Sequence, residues 1–146
     1  MDQNYNARAV VAIHGGAGVI NRAEMSPQLE HDYREGLTQA LEAGHRVLAA
    51  GGSSIDAVVA AVSVMEDSPL FNAGRGAVFS DEGRNELDAA VMEGATLQAG
   101  AVTLVTRVRN PVQLAKLVMQ HTGHVMLAGA GAEALARAHD LELVKN

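Results

Sequence analysis

The sequence contains no cysteine and no tryptophan, and only two phenylalanines and two tyrosines among its 146 residues. The missing cysteine excludes disulfides, thiolate metal sites and a sulfur nucleophile from this chain. So few aromatics make a base-stacking surface for nucleic acid unexpected. Cations are scarce too: 11 Lys and Arg against 17 Asp and Glu leave a formal charge of −6, the wrong sign for a phosphate backbone. No apolar run approaches the ~20 residues of a membrane span. The stretch Met1–Arg8 is polar and lacks the apolar centre of a signal peptide, so a cytoplasmic protein without nucleic-acid or membrane partners is expected. What remains is 48% hydrophobic and 19% charged, the composition of a globular chain of one-domain length.

Ala9–Ile13 reads AVVAI, an apolar run suited to a strand buried on both faces, and it stops at His14-Gly15-Gly16-Ala17-Gly18. Ser26-Pro27 predicts a helix start, with Leu29, Tyr33, Leu37, Leu41, Gly44 and Leu48 on one stripe and Gly51-Gly52 at its end. Ser53 and Asp56 resemble a capping box for a second helix, whose apolar face is Ile55, Val58, Val59, Val62 and Met65. Ala77–Phe79 and Glu86–Met92 read as paired strands around the turn Ser80-Asp81-Glu82-Gly83, with Leu87, Ala89 and Val91 inward. A strand at Ala101–Val105, a helix from Asn110-Pro111 with Leu114, Leu117 and Val118 inward, a short strand at His124–Leu127 and a helix at Ala130–His139 complete the pattern. Grouped strands and grouped helices argue for layered α+β packing, with an open sheet that another chain completes.

The glycine turn fits neither nucleotide motif. Asn21 stands where a dinucleotide fingerprint needs its third glycine, and no Gly-Lys pair exists for a P-loop. His14 reads as a core histidine that fixes this turn. His121 and His124 have i, i+3 spacing but no accompanying acidic ligand, and Gly123 is expected to end their helix. His31, His45 and His139 read as surface residues. Glu86 and Asp88 share a strand face that is expected to be solvated. The segment from Met65 to Gly76 is the most unusual. It leaves a helix C-terminus, where carbonyls are unpaired, and stays irregular while carrying apolar Leu70 and Phe71. Wrapping carbonyl oxygens around a hard cation is one way to satisfy such a loop; ordinary turns and water are others.

Five stretches together resemble one family. They are Ile13–Gly18; Glu66-Asp67-Ser68-Pro69-Leu70-Phe71-Asn72-Ala73-Gly74-Arg75-Gly76-Ala77-Val78; Asn85-Glu86-Leu87-Asp88-Ala89 with Met92-Glu93-Gly94; Ala99-Gly100-Ala101-Val102; and Asn110-Pro111 with Leu117-Val118-Met119. In this order they are similar to the α-subunit of plant-type (type III) L-asparaginases, or isoaspartyl peptidases, which are N-terminal nucleophile hydrolases.

The resemblance implies an αββα sandwich made as a precursor that cuts itself. It implies that residues 1–146 are half of a single domain, completed by a β-subunit in an (αβ)2 heterotetramer. The nucleophile would be a Thr at the start of the β-subunit, its own α-amine serving as base. No residue of the present chain fills that role, since its threonines lie inside the chain. The resemblance further implies a Na⁺ ion, for which K⁺ could substitute, held by the main-chain carbonyls of Met65, Glu66, Ser68, Phe71, Ala73 and Arg75. Asn72 would face the nucleophile, and His14 and Gly15 would form the loop beneath it. Substrates would be L-asparagine and β-aspartyl dipeptides. Two other readings stay open. A glycosylasparaginase α-subunit is disfavoured by the retained HGGAG and the missing signal peptide, and a non-enzymatic binding module would explain the absent nucleophile without a partner.

Overall fold

The computed structural model describes residues 9–18, 21 and 23–145, so the N-terminal stretch Met1–Arg8 and Asn146 lie outside the described residues. Helices α1 (Pro27–Ala49) and α2 (Ser54–Glu66) come first. They are followed by strands β1 (Leu87–Met92) and β2 (Ala99–Val105), helix α3 (Pro111–His121), strand β3 (Met126–Ala128) and helix α4 (Gly129–Ala138). The result is a mixed arrangement of helices around a small sheet.

The helix starts follow their caps. Ser26 Oγ accepts the Leu29 N–H at 3.1 Å, with Pro27 in the first turn. Ser53 Oγ accepts the Asp56 N–H at 3.0 Å and donates to Asp56 Oδ2 at 2.7 Å. The same carboxylate binds Lys116 Nζ at 2.5 Å, tying the start of α2 to α3. The α1 stripe is kept at Tyr33, Leu37, Gly44 and Leu48, which are buried or partly buried, and shifts at exposed Leu29 and Leu41 toward buried Ala40. Close approach explains the shift: a Cβ on Gly44 would lie 3.0 Å from the Ala57 carbonyl oxygen, so small residues let the two helix backbones meet. On α2 Val58 is likewise exposed, and Ala57 and Ala61 take its place.

The sheet has the order β1-β2-β3, antiparallel between β1 and β2 and parallel between β2 and β3. Leu87 and Val91 point inward as expected, joining Val102, Val105, Leu114, Ala115 and Val118 in the main core. Helix α3 lies on this face at Gly100, where a Cβ would sit 2.2 Å from the Ala115 carbonyl oxygen. The opposite face exposes Asp88, Ala90, Met92, Leu104 and Met126. The pairing shifts between Leu87 and Ala89, opposite Leu104, which has φ 54°. Asp88 Oδ1 holds this bulge, accepting from the Thr103 hydroxyl at 2.7 Å and the Leu104 N–H at 3.0 Å.

Two expected strands are not strands. Ala9–Ile13 has no ladder partner among the described residues, and Val10 is 85% exposed rather than buried. An apolar run becomes a strand only where a neighbour takes its backbone groups. Ala77–Phe79 also fails to pair with Glu86–Met92, although the turn forms, with Ser80 N–H donating to Arg84 O at 2.8 Å. Side-chain amides take the bonds a ladder would use. Asn85 Nδ2 donates to the Ala77 and Val78 carbonyls at 2.8 and 3.3 Å, and Asn72 Oδ1 accepts the Val78 N–H at 3.0 Å.

Candidate functional site

Phe71 brings the sequence-singled residues together. It is 5% exposed and meets Tyr33 of α1 edge-on, with ring centroids 6.0 Å apart. A Cβ on Gly15 would lie 3.3 Å from the Phe71 ring and 3.1 Å from Leu37, and one on Gly36 would lie 3.3 Å from the same ring. Glycine at both places lets the ring sit between the His14–Gly15 turn and α1. The next residue, Asn72, is exposed, and its Oδ1 is tethered to the Val78 N–H. The free end of that amide, Nδ2, is therefore a donor with a fixed base. His14 differs from expectation in one respect: it is exposed rather than part of the core. It still fixes the turn, its Nδ1 accepting the Gly16 N–H at 3.2 Å.

Residues Met65 to Gly76 fold back on themselves. A Cβ on Gly74, at φ 51°, would lie 2.4 Å from the Glu66 carbonyl oxygen, and one on Gly76 would lie 2.2 Å from that of Phe71. Only glycine permits both approaches. Of the six carbonyls named above, those of Met65, Phe71 and Ala73 accept backbone N–H groups of this loop, from Ser68, Ala73 and Gly76 respectively. Those of Glu66, Ser68 and Arg75 accept none among the described residues.

The carboxyl of Glu66 has a role that sequence reading missed. It is 3% exposed, and its Oε1 accepts the Val112 N–H at 2.9 Å, capping α3, while Oε2 has no hydrogen-bond partner among the described residues. The signal was present: Glu66 continues the stripe of Ile55, Val59 and Val62, where a charged residue must be buried. Asn110 stands at the start of α3 as expected, and its side chain sends Nδ2 to Ser63 O at 3.4 Å and Asp67 Oδ1 at 3.3 Å. Arg109 joins Asp67 at 2.9 Å and Glu142 at 2.8 Å, closing the C-terminal segment over this corner. Glu66, Asp67 and Arg109 line a cavity of about 340 Å³ together with Arg75, Asn85 and Lys145.

Burial pushes the Glu66 carboxyl up to about 7, the Val112 N–H and Asn110 opposing it. A raised carboxyl favours folding while it is protonated. That stability is complete below the ordinary value near 4.5 and is lost as pH rises through 7. Glu66→Gln, which mimics the protonated form, is expected to flatten this dependence and to gain on the order of 3 kcal/mol over wild type at pH 8. Chemical denaturation between pH 4.5 and 8 reads it, and parallel wild-type and Gln curves would show that Glu66 is not the group titrating.

Residues 7–146 match the family described as asparaginase. The chain belongs to the asparaginase family. It is 53% identical to an isoaspartyl peptidase of Escherichia coli over 137 residues, covering 94% of this chain and 43% of that protein. It is 47% identical to an isoaspartyl peptidase/L-asparaginase of Danio rerio over 129 residues, 88% of this chain and 40% of that protein. It is 46% identical to a plant-type L-asparaginase of Pyrococcus abyssi over 127 residues, 87% of this chain and 40% of that protein. The chain thus spans about two-fifths of the length of these asparaginase-family relatives. Among the described residues no helix is long and apolar enough to cross a membrane.

Proposed function

We propose that this chain is the α-subunit of an amidohydrolase acting on L-asparagine and β-aspartyl dipeptides. Its nucleophile would be an N-terminal Thr on a β-subunit cut from the same precursor. The observation that carries the reading is the Phe71 junction, which sets the His14–Gly15 turn against the Asn72 loop without a nucleophile of its own. The matched relatives bear isoaspartyl peptidase and asparaginase names and are more than twice as long. The open sheet face with Met92, Leu104 and Met126, and the apolar run at Ala9–Ile13 that pairs with no strand among the described residues, fit an αββα sandwich whose second sheet comes largely from the partner.

In this reading the Thr hydroxyl attacks the side-chain amide carbon and its α-amine takes the proton. The leaving amine departs, and water then hydrolyses the acyl-enzyme to aspartate. Asn72 Nδ2 donates toward the Thr, and the glycine turn leaves room for its backbone. Met65, Glu66, Ser68, Phe71, Ala73 and Arg75 would hold Na⁺ or K⁺ through their carbonyls. The donor set fits, because three of those oxygens lack a backbone N–H partner among the described residues and glycines 74 and 76 admit the tight fold. The ion would supply loop rigidity and no chemistry at the substrate.

Expression of the full reading frame, followed by intact mass and native mass spectrometry, tests this. Two chains are expected, the second beginning with Thr, assembled as (αβ)2 and turning over both substrate classes. The isolated 146-residue chain is expected to be inactive. Turnover of L-asparagine by that chain alone, or a stable uncut monomer, would overturn the assignment.

A further inference from the structure

We propose that His121 and His139 form a binding site for a borderline divalent metal ion of the Zn²⁺ class. The i, i+3 pair His121 and His124 drew attention in the sequence, but α3 ends at His121 and the fold brings His139 against its ring instead. The two imidazole centroids are 5.0 Å apart with their planes tilted by 42°. That separation suits a shared ion. With metal–nitrogen bonds of about 2.0–2.1 Å and a tetrahedral angle, two imidazoles ligating one ion have centroids about 5 Å apart. Two rings packed for contact alone would prefer an offset parallel or a perpendicular arrangement, and a 42° tilt is neither.

Electrostatics point the same way. His121 is the last residue of α3 and His139 is the residue that ends α4, so both rings stand at the negative ends of helix dipoles. Both are exposed, which leaves the remaining coordination positions to water. Neither ring takes part in an ion pair among the described residues. Imidazole nitrogen is a preferred donor for Zn²⁺, Ni²⁺ and Cu²⁺, while the hard alkali ion proposed for the loop prefers oxygen. The two sites are also apart. Glu66 grips the first turn of α3 at Val112, and an 11-residue helix sets its far end about 15 Å away. A metal here would join the ends of α3 and α4 without touching the proposed catalytic groups.

Titration of the full-length, tag-free protein with ZnCl₂ at pH 7.5 by calorimetry tests the site. One ion per chain is expected, with affinity at least tenfold weaker in His121→Ala and in His139→Ala and unchanged in His45→Ala. Circular dichroism checks that the variants fold, which their exposure leads us to expect. Wild-type protein that takes up no Zn²⁺, a variant of either histidine that binds as wild type does, or an equal loss in His45→Ala would each overturn the proposal. Since activity plays no part, the result is independent of the amidohydrolase reading.

Discussion

Asn72→Ala in the assembled enzyme is expected to lower kcat by about 100-fold or more while leaving KM and thermal stability close to wild type. The carbonyl end of this amide is occupied by the Val78 N–H, so its Nδ2 hydrogens alone face outward. A donor fixed in this way is organised before the reaction begins, and removing one positioned donor at an oxyanion-type site costs ~100- to 1,000-fold in rate. If Asn72 acts at the nucleophile, as proposed, rather than on bound substrate, the loss falls on kcat. Ser68→Ala is the matching control. Its proposed contribution is a main-chain carbonyl, which survives the substitution; only the Ser68 Oγ bond to the Leu70 N–H at 3.2 Å is lost. Steady-state kinetics in buffers with and without Na⁺ or K⁺ read both variants. Abolished activity in Ser68→Ala with intact activity in Asn72→Ala would refute the carbonyl-ligand account.

Phe71→Ala is expected to damage stability and activity together. Emptying a buried aromatic site costs ~3–5 kcal/mol. Here the glycines at 15 and 36 cannot close the void, since neither has a side chain to move into it. Tyr33 would lose its edge contact as well. Among the described residues the His14–Gly15 turn and the Asn72 loop share no other buried anchor of this size, so their relative position should loosen and kcat fall. Phe71→Leu keeps more of the volume and is expected to recover most of the stability. Thermal denaturation and kcat measured on both variants check the pair. An unchanged kcat in Phe71→Ala would mean that the ring supports the fold alone.

Helix starts were legible because their signals are local: Ser26, Ser53 and the Asn110-Pro111 step each mark a boundary that the chain keeps. The alternation of Leu87, Ala89 and Val91 likewise survived, since one face of β1 meets α3. Residues 9–13 and 77–79 misled because their composition describes burial in a sheet, while pairing depends on neighbours distant in sequence or on another chain. The face of α1 was legible at Tyr33, Leu37 and Gly44 and missed at Ala40, since large residues draw the eye to Leu29 and Leu41 while small ones decide where backbones can touch. At the candidate site the glycines and Asn72 were visible by pattern, but the bond from Glu66 to Val112 spans 46 positions and follows only from the packing of α2 on α3.

The described residues divide their buried apolar side chains between two clusters of unequal size. The larger joins the sheet, α3 and α4, while the smaller holds Ala40, Met65 and Phe71; partly buried Val62 touches both. Local opening is easiest where fewest apolar contacts must break. Amide hydrogens around the smaller cluster should therefore trade with solvent through partial openings that leave the sheet closed. The turn and loop assigned to the reaction sit on the yielding side of the molecule, and the partner subunit and the ion would be what makes that side rigid.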